Sequence, residues 1–365
     1  MKRENWKHFD FWLFGAVVIL SIFGIAMIRS AIAGNEVLQE QADRQVIYVA
    51  IGIAIMLVVS LVDYHYWASL SRLMYAVIII LLFITFIVGI ASFGATRWIQ
   101  AGLVNIQPSE LAKIIMILVL ADWFNRHKDE VKDLRWVFRS LIVIGLVVIW
   151  IVLQPNLSNT IVLMVLWLAL IWLAGLPLKY IALFAAVGIL LVVVAFPFFE
   201  PYQQQRVISF VFPDPNARHG NDYNVDQALV TIGSGGWFGQ GYGHSSQVQL
   251  RFLQVRHTDY IFSAMAAEFG FIGTVIIIGL FLFVVFRCLR GVWLASDLYG
   301  SLICFGVAVL LTFQGAVNIG VNLNLIPVTG LTLPFISYGG SSILSLVIGI
   351  GLVESVVARH KSLDF

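Results

Sequence analysis

The sequence predicts an all-α fold, a polytopic membrane helix bundle of about ten transmembrane helices with one long extracytoplasmic loop. Three observations predict it. Hydrophobic residues make up 60% and charged residues only 12% of the 365, against about 25% charged in an ordinary soluble domain. Apolar segments recur along the chain, most near the roughly 20 residues that one helical crossing needs. One stretch of nearly 60 residues, 199–257, contains no such segment. No packed core hides this much apolar surface, whereas a bilayer solvates it, provided that every backbone polar group is satisfied within the helices. Residues 1–365 read as a single transmembrane domain, with 199–257 as a large loop within it.

The expected spans are 11–33, 46–62, 73–91, 109–124, 141–153, 160–175, 180–198, 258–286, 299–320 and 341–358. The first imitates a signal peptide, with Lys2, Arg3 and Lys7 ahead of it and Ala31-Ile32-Ala33 behind. Its apolar run from Phe11 to Ile28 exceeds the 7–15 residues or so of a signal core, so it reads as an uncleaved span. The fifth and sixth are short and separated only by Gln154-Pro155-Asn156-Leu157-Ser158-Asn159. They form either two crossings or one broken pair whose free backbone groups need protein or water around them. Orientation follows the Lys/Arg balance of the loops. With the N-terminus in the cytoplasm, 14 Lys/Arg fall on the cytoplasmic side and 7 outside. An even number of spans returns the C-terminus to the cytoplasm.

The long outer loop carries Pro201, Pro213 and Pro215 and the glycine-rich run from Gly233 to Gly243. Asn224-Val225-Asp226-Gln227 reads as a capping box that starts a short helix through Ile232. Loops of this length are where function concentrates.

Several chemistries are excluded. The net charge of +2 and the absence of a Lys/Arg run give no nucleic-acid surface. There is no phosphate-binding P-loop, no HExxH, no nucleophile elbow and no CxxC. Cys288 and Cys304 lie in or beside apolar stretches and read as packing residues. No sequence repeat of the transporter kind is present.

Ionisable groups in or beside apolar spans are costly and are functional candidates by default. Here they are Glu110, Lys113, Asp122, Asp259, Glu268 and Glu354. Asp122 and Glu354 read as solvated helix ends. Glu110 and Lys113, at i and i+3 behind Pro108-Ser109, share one helix face. They are either a structural ion pair or the support of a substrate pocket. Asp259 follows Arg256-His257-Thr258 at an outer mouth. With Thr258 as cap it falls in the first helical turn, either as a capping acid or as a reactive carboxylate. Glu268, nine residues on, points to the opposite face of a continuous helix. It reads as structural, held against a polar group on another helix. Arg97, Arg206, Arg218, Arg251 and Arg256 supply forked donors suited to an anionic ligand such as a diphosphate. Trp98, Trp237, Phe238 and Tyr242 either stack on sugar or form an interfacial belt.

Six blocks, in order, resemble the SEDS family (shape, elongation, division and sporulation). They are Arg97-Trp98-Ile99, Ile106 to Lys113, Gln154-Pro155-Asn156-Leu157, Gln227 to Gly243, Arg256-His257-Thr258-Asp259, and Asn318-Ile319 leading to Leu325 through Ser342. The Arg256-His257 pair and the short tails resemble the elongation branch more than the division branch. The resemblance implies a glycosyltransferase of the bacterial cytoplasmic membrane that extends a nascent glycan strand from lipid II at the outer face. It also implies a class B penicillin-binding transpeptidase as partner. By the same likeness Asp259 is the essential aspartate, and Trp98, Glu110 and Lys113 are further important positions, with His257 beside them at the substrate. Two departures stand out. Asn156 replaces an aspartate of the family pattern, and Ala267 replaces the first of two glutamates ahead of Glu268. Either those acids support structure more than chemistry, or this member is tuned differently. Such chemistry needs one base for the acceptor hydroxyl and cations for the leaving diphosphate. A divalent cation would serve the same end, and no dense ligand cluster decides for or against it. A precursor flippase is the rival reading. It needs polar residues along the whole crossing, whereas here they gather near the outer face.

Overall fold

The structure, a computed structural model, describes residues 8–34, 38–92, 95–101, 104–130, 133–214, 217, 220–250, 252–253 and 256–360. Thirteen α-helices follow one another among them: α1 Phe11–Ile32, α2 Gln39–Leu61, α3 Tyr64–Val88, α4 Pro108–Arg126, α5 Leu134–Leu153, α6 Leu157–Leu173, α7 Leu178–Ala195, α8 Pro201–Val211, α9 Gly220–Ser234, α10 Ser246–Gln249, α11 Ile261–Leu294, α12 Leu298–Asn322 and α13 Gly340–Val357. Eight described helices are long and apolar enough to cross a membrane. Two more complete the ten expected segments. The first is α4, whose charges are Glu110, Lys113, Asp122 and Arg126. The second is α6, with 17 residues. Each expected span has its helix. The fifth and sixth segments form two separate helices.

Local chemistry sets the helix starts. Asp10 caps α1 through Leu13 N at 3.1 Å, Asp133 caps α5 through Trp136 N at 2.9 Å, and Asp297 caps α12 through Gly300 N at 2.8 Å. Pro108 sits in the first turn of α4, where its missing N–H costs nothing. The core lies among α1–α6 and α11–α13. At its heart α4 and α13 are buried over most of their length. By contrast α7 packs along α6 with no residue buried, the surface a lipid-facing helix presents.

Three features depart from the sequence-based expectation. First, a small antiparallel sheet links α3 to α4, with β1 Ile90–Ser92, β2 Ala95–Ala101 and β3 Val104–Ile106 in the order β1-β2-β3. Second, the long 199–257 loop holds three helices, α8, α9 and α10, where one was expected. The expected start at Asn224 lies inside α9, which begins at Gly220. The capping box sits instead at Glu200 and Gln203, opening α8. Third, α11 begins at Ile261, so Asp259 precedes the helix, and Gly270 breaks it with φ 67°. The rotation drawn between Asp259 and Glu268 on a continuous helix therefore does not apply.

The break at Gly270 explains the glycine-rich run. A helix interrupted within a membrane leaves backbone donors and acceptors that must find partners. The 236–241 loop supplies them. Gln240 N donates to Ala267 O at 2.9 Å and Gly241 N to Glu268 O at 3.0 Å. Phe271 N donates to Gly236 O at 2.9 Å and Ile272 N to Trp237 O at 3.1 Å. The two backbones meet so closely that a Cβ on Gly239 would lie 2.2 Å from Glu268 O, and one on Gly270 2.3 Å from Gly239 N. Both glycines also hold positive φ, which other residues adopt at a cost.

Candidate active site

Asp259 is placed by its neighbours rather than by its own helix. The N-cap residue of α11, Tyr260, offers no side-chain cap. The cap comes from α12, where Asn322 Oδ1 accepts from Ser263 N at 3.1 Å and Ser263 Oγ at 2.6 Å. Three successive carbonyls ahead of the helix are also held. His257 O accepts from Tyr338 N at 3.0 Å and Thr258 O from Ser337 Oγ at 2.8 Å. Asp259 O accepts from Asn318 Nδ2 at 3.1 Å and Asn322 Nδ2 at 2.9 Å. With the backbone fixed this way, the half-buried Asp259 side chain is left for other work.

Arg206 on α8 faces it. Its guanidinium donates to Val328 O at 3.3 Å and Thr329 O at 3.1 Å and lies 5.8 Å from the Tyr202 ring. Gly330 lies between the two groups. A Cβ there would be 3.8 Å from Arg206 Nη1 and 3.9 Å from Asp259 Oδ2, and its φ is +77°. Among the described residues no ion pair within 4 Å closes this gap. Burial pushes the Asp259 carboxyl up from 3.8 to about 6, with the Arg206 charge pulling the other way. The arrangement is a carboxylate of raised pKa and a cation that both lie beside the exposed Gly330, suited to proton removal beside a developing negative charge.

A second polar group lies deeper. Lys113 Nζ pairs with Glu110 Oε2 at 2.7 Å, both buried. Asn159 Nδ2 reaches Glu110 Oε1 at 3.4 Å and Ser109 Oγ at 2.9 Å. Asn156 Nδ2 adds a bond to Ser109 Oγ at 3.2 Å, while its Oδ1 accepts from Asn159 N at 3.4 Å at the start of α6. This group ties α4 to α6. The start of α6 connects to the Asp259 region, since Ser158 Oγ donates to Thr329 O at 2.6 Å, the carbonyl that also receives Arg206. The turn before α6 is satisfied by protein: Pro155 O accepts from Tyr202 Oη and from Gln203 Nε2 at 3.0 Å.

The other expected site residues are spread out. Arg256 is buried and turned to the backbone, donating to Ala31 O and, at 3.2 Å, to Leu253 O. His257 is half-buried. Burial and the Arg256 charge push its pKa down to about 4, so it is neutral at pH 7 and no cation for a phosphate. Glu268 is buried between α11 and α1, where Ser30 Oγ donates to it. Trp98 lies on β2 opposite Ile90, half-buried. Arg218, Arg251 and the side chain of Arg97 lie outside the described residues. Trp237, Phe238 and Tyr242 are exposed, and Tyr242 Oη donates to Ala26 O at 2.8 Å. Among the described residues no three His, Cys, Asp or Glu side chains gather as metal ligands.

Sequence reasoning left Asn318, Asn322 and Ser337 without roles. Amides inside an apolar span were the available signal, since each needs a partner there. Gly330 carried no signal beyond its motif.

The fold and site together define a multi-pass membrane protein with a half-buried acid at one mouth of the helix bundle. Residues 8–362 match the FtsW/RodA/SpoVE family, described as "Cell cycle protein", and the chain belongs to this family, the SEDS family. The "Probable peptidoglycan glycosyltransferase FtsW" of Thioalkalivibrio sp. (strain K90mix) is 37% identical over 95% of this chain and 89% of its own length. The "Peptidoglycan glycosyltransferase MrdB" of Escherichia coli (strain K12) is 32% identical over 100% of this chain and 98% of its own. The crystal structure of the rod shape determining protein RodA of Thermus thermophilus superposes with a TM-score of 0.74 at 28% identity, covering 98% of this chain and 99% of that one. A chain from a structure titled for the coordination of polymerization and crosslinking by a peptidoglycan synthase complex gives 0.82 at 28% identity, covering 96% and 97%.

Proposed function

We propose that this chain is a peptidoglycan glycosyltransferase that polymerises glycan strands from lipid II at the outer face of the bacterial cytoplasmic membrane, with Asp259 as the base. The observation that carries this reading is the Asp259 carboxylate, pushed up to about 6 and in no ion pair among the described residues, facing Arg206 across Gly330. Asp259 takes the proton of the acceptor hydroxyl as that oxygen attacks the anomeric carbon of the donor. The bond from that carbon to the lipid diphosphate breaks, and the electron pair leaves with the diphosphate. Arg206 meets the charge that develops there. A base works best with a pKa near the working pH, and about 6 is nearer than an ordinary aspartate. Glu110, Lys113, Asn156 and Asn159 support the loop that seats Arg206.

The names of the relatives support the activity, and the Lys/Arg balance of the loops supports the orientation. Both termini then lie in the cytoplasm, and 199–257 is an outer loop within a single transmembrane domain. A class B penicillin-binding transpeptidase is the proposed partner, in keeping with the synthase complex of the structural neighbour. Of the two branches we favour elongation, on the Arg256-His257 pair ahead of Thr258-Asp259.

The test is polymerisation of labelled lipid II by purified Asp259→Asn protein, with and without the transpeptidase. Asn keeps the shape and removes the basicity. Turnover should fall by about a hundredfold or more, within the range that general-base catalysis contributes, with membrane insertion unchanged. Turnover near wild type overturns the assignment.

A further inference from the structure

We propose that Asn318, on α12, is a positioning residue that sets the spacing between Asp259 and Arg206. The inference rests on the reading of Asp259 as base, and goes beyond it by naming the group that fixes the reacting geometry.

Asn318 is almost wholly buried. Its Nδ2 carries two hydrogens, and they go to two different segments. One reaches Asp259 O at 3.1 Å and the other Leu331 O at 2.8 Å. The amide orientation is fixed by this pairing, because only the NH₂ end can face two carbonyl oxygens. Leu331 follows Gly330 directly, and the two residues before Gly330 are Val328 and Thr329, whose carbonyls hold the Arg206 guanidinium. A single amide therefore ties the residue that bears the carboxylate to the loop that seats the cation. Both ties come from one helical residue, since Asn318 lies on α12, one turn before its end at Asn322.

Asn322, one turn on, does a different job. It donates to Asp259 O at 2.9 Å and to Asn318 O at 2.8 Å, and it caps α11 through Ser263. It does not touch the 328–331 loop by any of these bonds. The two asparagines thus separate by role. Asn322 holds the start of α11, and Asn318 holds the start of α11 relative to the Arg206 seat. Removing Asn322 costs a helix cap. Removing Asn318 frees two segments to move relative to each other, and a misplacement near 1 Å can cost about a hundredfold in rate.

The test compares Asn318→Leu and Asn322→Leu in the full-length purified protein. Leu is close to Asn in size, adds no charge beside Asp259, and has neither donor nor acceptor. Three readouts are taken: thermal stability, kcat for lipid II polymerisation, and the pH at which kcat falls on the acid side. The groups that face the Asp259 carboxylate are Arg206 from α8, with the neutral His257 and Tyr260 beside it in sequence. Loosening the Arg206 seat weakens the charge that lowers the Asp259 pKa. Asn318→Leu should lower kcat by about 10- to 100-fold and move the acid limb upward in pH. Asn318→Gln, which keeps an amide with both donors, should retain part of the rate. Asn322→Leu, which loses the acceptor for Ser263, should lower thermal stability with the limb unmoved. An Asn318→Leu protein that loses stability but keeps its acid limb and its kcat per folded molecule shows a purely structural amide and overturns the proposal. Asp259→Asn serves as the control arm. If that variant polymerises normally, the base assignment fails and the limb belongs to another group. If it is inactive while Asn318→Leu is unaffected, the positioning role alone fails.

Discussion

Two aspartates stand just ahead of helices at opposite ends of α11, and the chain uses them in opposite ways. Asp10 is buried and fully engaged. Its Oδ1 caps α1 through Leu13 N, its Oδ2 pairs with Arg287 through Nε at 2.7 Å, and its backbone N–H donates to Glu354 Oε2 at 3.0 Å. Asp259 also precedes a helix and also has an arginine from a distant element beside it. Yet the cap of its helix is handed to Asn322, its carbonyl to Asn318 and Asn322, and its arginine is held off across Gly330 by the carbonyls of Val328 and Thr329. One acid is spent on structure. The other is kept from structural work while its surroundings are fixed by other groups. A carboxylate and guanidinium in contact stabilise each other and lose reactivity. Held apart beside Gly330, they remain available to a substrate.

The comparison can be broken at either end. The largest effect belongs to the structural end. Arg287→Ala leaves the buried Asp10 carboxylate without its cation, which costs about 3 kcal/mol or more. Its melting temperature should drop clearly, while polymerisation per folded molecule stays within about twofold, because a pair at the far end of α11 touches nothing at the mouth. A stable Arg287→Ala protein with lost turnover would mean that the two ends are coupled. The smaller effect belongs to Arg206→Lys. The charge is kept, but the planar guanidinium, whose Nη1 serves both carbonyls while the rest of the group offers forked donors to an anion, is lost. Turnover should fall by about 10- to 100-fold, the range expected when one charge-stabilising donor is weakened, with melting temperature nearly unchanged. Equal loss of stability at both sites would erase the distinction.

Much of this was legible in the sequence. Ten apolar segments became ten helices because membrane crossings tolerate little else. Glu110 and Lys113 paired as their i, i+3 spacing requires. Asp259 stood out as an acid at an outer mouth. What stayed hidden depended on distant chain. Nothing near Thr258 announces that a side chain on α12 caps α11, so the helix start was placed three residues early. The glycine-rich run reads in the sequence only as part of the long loop and of one family-like block. Its role is to supply backbone partners to a helix broken at Gly270, which no local pattern reveals. Of the two expected arginines whose side chains are described, Arg206 is distinguished only by the fold, through Gly330. Arg256, nearer in sequence, turns away to Ala31 O and Leu253 O.

The central claim is that Asp259 acts as a base with a pKa raised by burial. An aspartate raised from 3.8 to about 6 is ionised, and so active as a base, only above that pH. The most direct measurement is kcat for lipid II polymerisation by the wild-type protein from pH 5 to pH 8. The account predicts a plateau above about 7, about half of it at pH 6 and about a tenth of it at pH 5, the behaviour of one essential group losing its ionised form. A rate that stays flat down to pH 5 would contradict it.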